Sequence, residues 1–113
     1  MPREPKAYLH DMRQAAALIA EFTAGMDFDA YAADAMVRAA VERQFEIIGE
    51  ALGQLAKLDP EIAGRISEHR RIIAFRNILV HGYAGVDDVL VWDMVETRLA
   101  ALRREVEELL GAG

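Results

Sequence analysis

The stretch MVRAAVERQFEIIGEALGQLAKL, residues 36–58, decides the fold class. Val37, Val41, Phe45, Ile48, Leu52 and Leu55 recur at steps of three and four, the spacing that sets side chains on one face of a helix. Met36, Ala40, Ile47 and Ala51 widen that stripe beyond a two-helix seam, so this helix is expected at the centre of a bundle. Asp59-Pro60 stops it, because proline cannot continue a helix and pushes its predecessor out of the helical region. Asp29 or Asp34 could cap its start.

Working outward, Tyr8, Met12, Ala16, Ile19 and Phe22 describe a first helix with Gly25 near its end, and Asp27-Phe28-Asp29 reads as a short connection. Residues 61–67 read as a short helix or turn. A third main helix is expected over His69–His81, ending at Gly82 because glycine readily takes the positive φ of a helix C-terminal cap. Asp87-Asp88 place acids at the positive end of a new helix dipole. Val91 or Trp92, Val95, Leu99, Leu102, Val106 and Leu109 then carry one helix to the end of the chain. No strand-like alternation, internal repeat, linker or low-complexity tract interrupts the pattern. The expectation is a single all-α domain over 1–113, a four- to five-helix up-and-down bundle.

Composition narrows the function classes. At 113 residues and 53% hydrophobic content, the chain can bury one modest core. It contains no cysteine, which excludes disulfides, zinc–thiolate sites and thiol catalysis. No apolar run approaches the roughly 20 residues of a membrane span. The opening Met1-Pro2-Arg3-Glu4-Pro5-Lys6 mixes charge and proline, unlike a secretory signal, so a cytoplasmic protein is expected. The net charge of −6 argues against a general nucleic-acid surface. Yet Arg65 to Tyr83 carries four arginines against one acid, a local +3 that leaves −9 elsewhere. Such a segment either steers an anion, with Arg65, Arg70 and Arg71 as possible RNA contacts, or pairs with the protein's own acidic surface.

Several sites are unsupported. Gly49 and Gly53 lie inside a helix without the Lys-Ser/Thr of a phosphate-binding loop. His10, His69 and His81 are too scattered for a paired ligand motif. Glu42, Glu46 and Glu50 lack the following histidine of a di-iron bundle and read as a solvated or salt-bridged ridge with Arg38 and Arg43. Neither metal nor cofactor is expected. What remains is Arg76-Asn77-Ile78-Leu79-Val80-His81-Gly82-Tyr83. Asn77 and His81 share one helix face, and Arg76 lies about 140° round from His81, within reach of a long side chain. An arginine fork can offset growing phosphate charge, and an imidazole can move a proton near neutrality. Asn77 could orient the imidazole or donate to phosphate, and Tyr83 could stack or be modified. Equally, a histidine at a helix end often serves the free carbonyls, and an arginine one turn earlier is often a surface charge.

This octapeptide resembles the Arg-x4-His-x-Tyr signature of the HepT-like family of HEPN domains. The segment Phe45-Glu46-Ile47-Ile48-Gly49-Glu50-Ala51-Leu52 resembles that family's Ile-Gly-Glu-Ala stretch, and Val86-Asp87 to Trp92 places an Asp and a Trp at the expected distance after the signature. Together these cover the chain from about residue 35 onward. Where relatives often carry a Pro-Trp pair before the signature, this chain reads Ser67-Glu68-His69-Arg70-Arg71. The resemblance implies a bundle that dimerises around a shared cleft, and a toxin of a toxin–antitoxin pair acting as a metal-independent endoribonuclease. It makes Arg76 and His81 the catalytic pair, Asn77 a supporting polar residue, and Tyr83 the acceptor of AMP from a minimal nucleotidyltransferase (MNT) antitoxin. With no metal site, the RNA's own 2′-hydroxyl would be the nucleophile. The alternative is a non-catalytic HEPN module that binds nucleotide or docks its nucleotidyltransferase.

Overall fold

The computed structural model describes residues 3–82 and 84–111, and among them every regular element is helical. The long central helix anticipated from the stripe is α3, Ala35–Leu58. It packs against α1 (Pro5–Thr23) on one side and α5 (His69–His81) on another, while α1 also packs against α7 (Leu99–Gly111). Val41, Phe45, Ile48, Leu52 and Leu55 of α3 are all buried. They meet Leu9, Met12 and Ile19 from α1, Ile72, Phe75 and Leu79 from α5, and Leu102 and Val106 from α7. Each such side chain contributes about 1.5–3 kcal/mol by leaving water, which makes the shared core, rather than any single cap, the chief source of cohesion. Among the described residues no helix is long and apolar enough to cross a membrane.

Capping residues explain the boundaries. Asp34, not Asp29, caps α3: the Val37 N–H donates to its carboxylate at 3.1 Å. Asp59 ends α3 and caps the short α4 (Pro60–Gly64), accepting from the Ile62 N–H at 3.2 Å, with Pro60 in the first turn where its missing N–H costs nothing. Asp87 accepts from the Val89 N–H at 2.9 Å and opens α6, Asp88–Thr97.

The structure corrects three expectations. Residues 27–29 are not a simple connection: Asp27 caps a six-residue helix, α2 (Phe28–Ala33), by accepting from the Ala30 N–H at 2.8 Å. That turn of helix drives Tyr31 into the core, its ring 5.2 Å from that of Trp92. The expected single C-terminal helix is divided at Arg98, whose φ of −115° departs from helical geometry. There Thr97 Oγ1 donates to the Asp93 carbonyl at 2.7 Å, a side-chain bond that competes with the helical ladder and bends it. Finally, Gly82 ends α5 with φ −92°, not a positive φ. A Cβ there would stand 2.7 Å from the Ile78 carbonyl oxygen, so glycine is needed for this close approach.

Candidate active site around Arg76

The signature helix α5 can lie against α3 because residue 49 has no side chain. A Cβ on Gly49 would fall 2.2 Å from Arg76 Cβ and 2.8 Å from Cγ, so the close approach of the two helices at this point requires glycine. One turn earlier Phe45 and Phe75 pack edge to face, 5.3 Å between centroids, and fix the register of the contact. This seat directs the Arg76 guanidinium along α3. Its Nη2 sits 2.9 Å from Glu50 Oε2, and its Nη1 donates to Asn77 Oδ1 at 3.0 Å. The Nε is buried and has no partner among the described residues. A guanidinium can only donate, so the contact assigns the Asn77 carbonyl oxygen to Arg76 and turns its NH2 to the other side.

The acidic ridge read from the sequence is therefore divided. Arg43 pairs with Glu46 at 3.3 Å as expected. Glu50 instead serves Arg76, and Arg38 turns to Asp88 at 3.8 Å and to the Ala32 carbonyl. Glu42 is left half-buried, and that burial, with Asp88 and Glu46 nearby and Arg38 opposing, raises its carboxyl pKa above the usual value. Beneath it the Tyr31 hydroxyl is buried without a partner among the described residues, and burial pushes its pKa up.

Two grooves flank α5, sharing Glu46 and Val80 as a common wall. The first, about 220 Å³, is lined by Arg76, Glu50, Arg43 and Gln54 together with Tyr8 and Arg3 of α1. The second, about 460 Å³, lies at the helix end among Arg38, Glu42, Asp88, Val86 and Gly82. His81 lines neither and is exposed as the last residue of α5, with exposed Asn77 one turn before it. Within one protomer Arg76 and His81 thus do not converge on one pocket, contrary to the expectation from their reach. Asn77 connects them, touching Arg76 and sharing the His81 face. Tyr83 lies outside the described residues.

The approach to α5 is held by polar ties to α7 and α6. Ser67 gives both its N–H (3.1 Å) and its hydroxyl (2.5 Å) to Glu105. Glu68, the helix's N-terminal flanking residue, takes a left-handed φ of 54° and holds Arg98 at 2.7 Å and Arg71 at 3.7 Å. A non-glycine residue there costs about 1–2 kcal/mol, which those contacts must offset. The basic segment is largely spent internally: Arg65 pairs with Glu61 at 3.3 Å and Arg71 with Asp93 at 3.2 Å. Arg70 is exposed, with no carboxylate within 4 Å among the described residues. Among those residues no group of three or more acidic or histidine side chains is placed to hold a metal ion.

Sequence reasoning missed the role of Glu50. The signal was its neighbour: a glycine inside a long helix is unfavourable by about 1 kcal/mol and marks a close approach.

The family described as "Ribonuclease HepT-like" matches residues 12–109. The "Probable ribonuclease HepT" of Thermococcus cleftensis is 35% identical over 113 residues, covering 96% of this chain and 98% of that protein. The "Putative RNase MJ1380" of Methanocaldococcus jannaschii is 34% identical over 105 residues, covering 93% of this chain and 95% of its own length. No solved structure matches the chain. The family match spans the core helices and the whole Arg76–His81 helix, and on that basis the chain belongs to the HepT-like ribonuclease family.

Proposed function

We propose that this chain is a metal-independent endoribonuclease, the toxin of a HEPN/MNT toxin–antitoxin pair, working in the cytoplasm. The observation that carries the reading is the held guanidinium of Arg76, fixed by Glu50 and Asn77 one turn before an exposed His81 on the helix that the family match covers. Relatives named as ribonucleases over nearly their whole length support the reaction class.

In this reading His81 takes the proton from a ribose 2′-hydroxyl as its oxygen attacks the neighbouring phosphorus. The bond to the 5′-oxygen breaks, that oxygen leaves with a proton, and a 2′,3′-cyclic phosphate remains. Arg76 offsets the charge that grows on the phosphoryl oxygens. A second protomer completes the site. Ile78 and Val80 on the signature helix, with Met36 of α3 and Val89 of α6, are large apolar side chains left exposed, Met36 at 83% and Val89 at 62%. Exposed apolar side chains of this kind suit burial in an isologous dimer interface. The MNT antitoxin then silences the enzyme by transferring AMP to Tyr83.

The engagement of Arg76 by its own chain's Glu50 favours one competing reading, a non-catalytic module that binds nucleotide or docks the nucleotidyltransferase. Cleavage of RNA by purified protein in excess chelator separates the two. The expected result is cyclic-phosphate ends, lost by a hundredfold to ten-thousandfold in His81→Ala, with Tyr83→Phe active and resistant to the antitoxin. Cleavage that requires magnesium, or that survives His81→Ala, rejects the proposed chemistry.

A further inference from the structure

A groove of about 790 Å³ lies between α1 and α7, away from the signature helix. Its α1 wall is His10, Arg13, Gln14 and Ala17, a face of α1 distinct from the Tyr8 and Asp11 that line the Arg76 groove. Its α7 wall brings Arg103 and Arg104 against them. The charge is unlike the rest of the chain: three arginines and one acid, Glu107, in a protein of net −6.

That positive charge is only partly consumed locally. Glu107 is 3.6 Å from Arg13. Glu105, the acid adjacent to Arg104, is turned away to bind Ser67. Both Arg103 and Arg104 are exposed, and among the described residues neither has a carboxylate within 4 Å. The Arg13 Nη2 lies 2.9 Å from His10 Nδ1. Because the guanidinium must be the donor, His10 accepts at Nδ1, and its other ring nitrogen carries the hydrogen as a further donor. Beside the Arg13–Glu107 pair the groove therefore presents donors from Arg103, Arg104 and His10, groups that can receive phosphate oxygens. Arg65 and Arg71, the arginines of the basic segment, are by contrast already paired.

We infer that the α1–α7 groove is a second RNA contact, holding the phosphate backbone of a single strand away from the cleaving residues through Arg103, Arg104 and His10. The inference rests on the proposed ribonuclease reading for the identity of its ligand. It gives an acidic protein a local means of gripping RNA, since phosphate neutralisation dominates backbone affinity.

The test uses the whole chain and a labelled single-stranded oligoribonucleotide with 2′-O-methyl groups throughout, which the proposed chemistry cannot cleave. Dissociation constants are measured across a salt series for wild type, R103Q/R104Q and R103K/R104K. Losing two phosphate contacts should weaken binding about tenfold or more and lower the salt slope by about 1.4, from roughly 0.7 per phosphate on a single strand. The lysine pair should keep the slope, and with cleavable RNA the glutamine pair should raise KM while kcat is retained. Both residues are exposed, so a thermal melt should coincide with wild type. Unchanged affinity and slope in R103Q/R104Q, from a wild type that cleaves RNA, overturns this inference alone. Loss of nucleotidyltransferase binding with RNA affinity intact also overturns it, assigning the groove to a protein partner. A wild type that neither binds the oligonucleotide nor cleaves RNA removes the ribonuclease reading itself.

Discussion

Arg76 and His81 stand five residues apart on one helix and live in opposite surroundings. Arg76 is half-buried against Gly49, with two of its three nitrogens engaged. His81 ends the helix in solvent. The groove nearest the helix end is walled by Glu42, Glu46 and Asp88, and such a surface repels phosphate. RNA in the proposed reaction must therefore come to His81 from the exposed Asn77 face, not along α3. The difference assigns labour: one group is built into the scaffold and cannot wander, while the other is left free to meet what arrives from outside. Precision in a site is supplied by the packed element, and access by the exposed one.

The largest effect should come from breaking the rigid half. Arg76→Ala should cost cleavage roughly 3 kcal/mol of transition-state stabilisation, a hundredfold or more. Arg76→Lys should be nearly as damaging, because an ammonium cannot bridge Glu50, Asn77 and phosphate with one planar fork. Steady-state kinetics on both variants would show whether geometry or charge matters; full activity in Arg76→Lys would make the fork irrelevant.

Next comes the seat itself. Gly49→Ala places a methyl 2.2 Å from Arg76 Cβ, an atom close to the backbone that cannot swing aside, so α5 must shift. Overpacking of this kind costs about 1–3 kcal/mol, a fall in Tm of roughly 10 °C for a domain of this size. Cleavage should fall with it, since displacement by about 1 Å can cost on the order of a hundredfold. Gly53, on the same helix, has nothing within 4 Å of an added Cβ, and Gly53→Ala should raise Tm instead. Calorimetry on the pair decides it: equal shifts would mean that the close approach is not what glycine serves at position 49.

Smaller again is Glu50→Gln. The ion pair joins side chains 30% and 54% exposed, so its removal should change stability by no more than about 1 kcal/mol. The amide can still accept from the guanidinium, and cleavage should drop several-fold through kcat with KM nearly constant, while Glu50→Leu should lose considerably more. A rise in activity in either variant would show that Glu50 restrains Arg76 rather than holding it ready.

These contrasts also explain what could be read from sequence. The core stripe of α3 and the span of α5 were legible because 24 and 13 residues are long enough for periodicity to register. A six-residue helix is not, so α2 was hidden although Asp27 announced a cap. The break at Arg98 depends on one hydroxyl choosing a carbonyl, which no apolar pattern records. For the site, residue types and order pointed to Arg76 and His81, but pairing is a three-dimensional matter. Glu42, Glu46 and Glu50 look equivalent at spacings of four, yet one faces Arg43, one faces Arg76 and one is left half-buried near Asp88. Likewise Arg103 and Arg104 precede three glutamates within four residues, and only the fold shows that Glu105 is occupied by Ser67.

The subtlest way to probe the helix-end groove is through Glu42. Its carboxyl pKa is raised above 4.5 chiefly by burial, with Asp88 adding to the shift. The folded protein therefore holds this proton more tightly than the unfolded chain does. Stability falls as pH rises from the unfolded value near 4.5 through the higher folded value, and above that the penalty of the buried charge is complete. Glu42→Gln removes the ionisation but keeps the shape. At neutral pH the variant should melt above wild type by a small margin, on the order of 1–2 °C given the group's partial exposure. The margin should shrink as pH is lowered toward and below 4.5, where wild type is itself protonated. A margin that grows at low pH reverses the sign and would mean that the Glu42 carboxylate is held by Arg38. Cleavage by the variant carries a second meaning: if Glu42 only walls the groove that phosphate avoids, kcat should match wild type while Tm moves, separating this end of the helix from the chemistry proposed for Arg76 and His81.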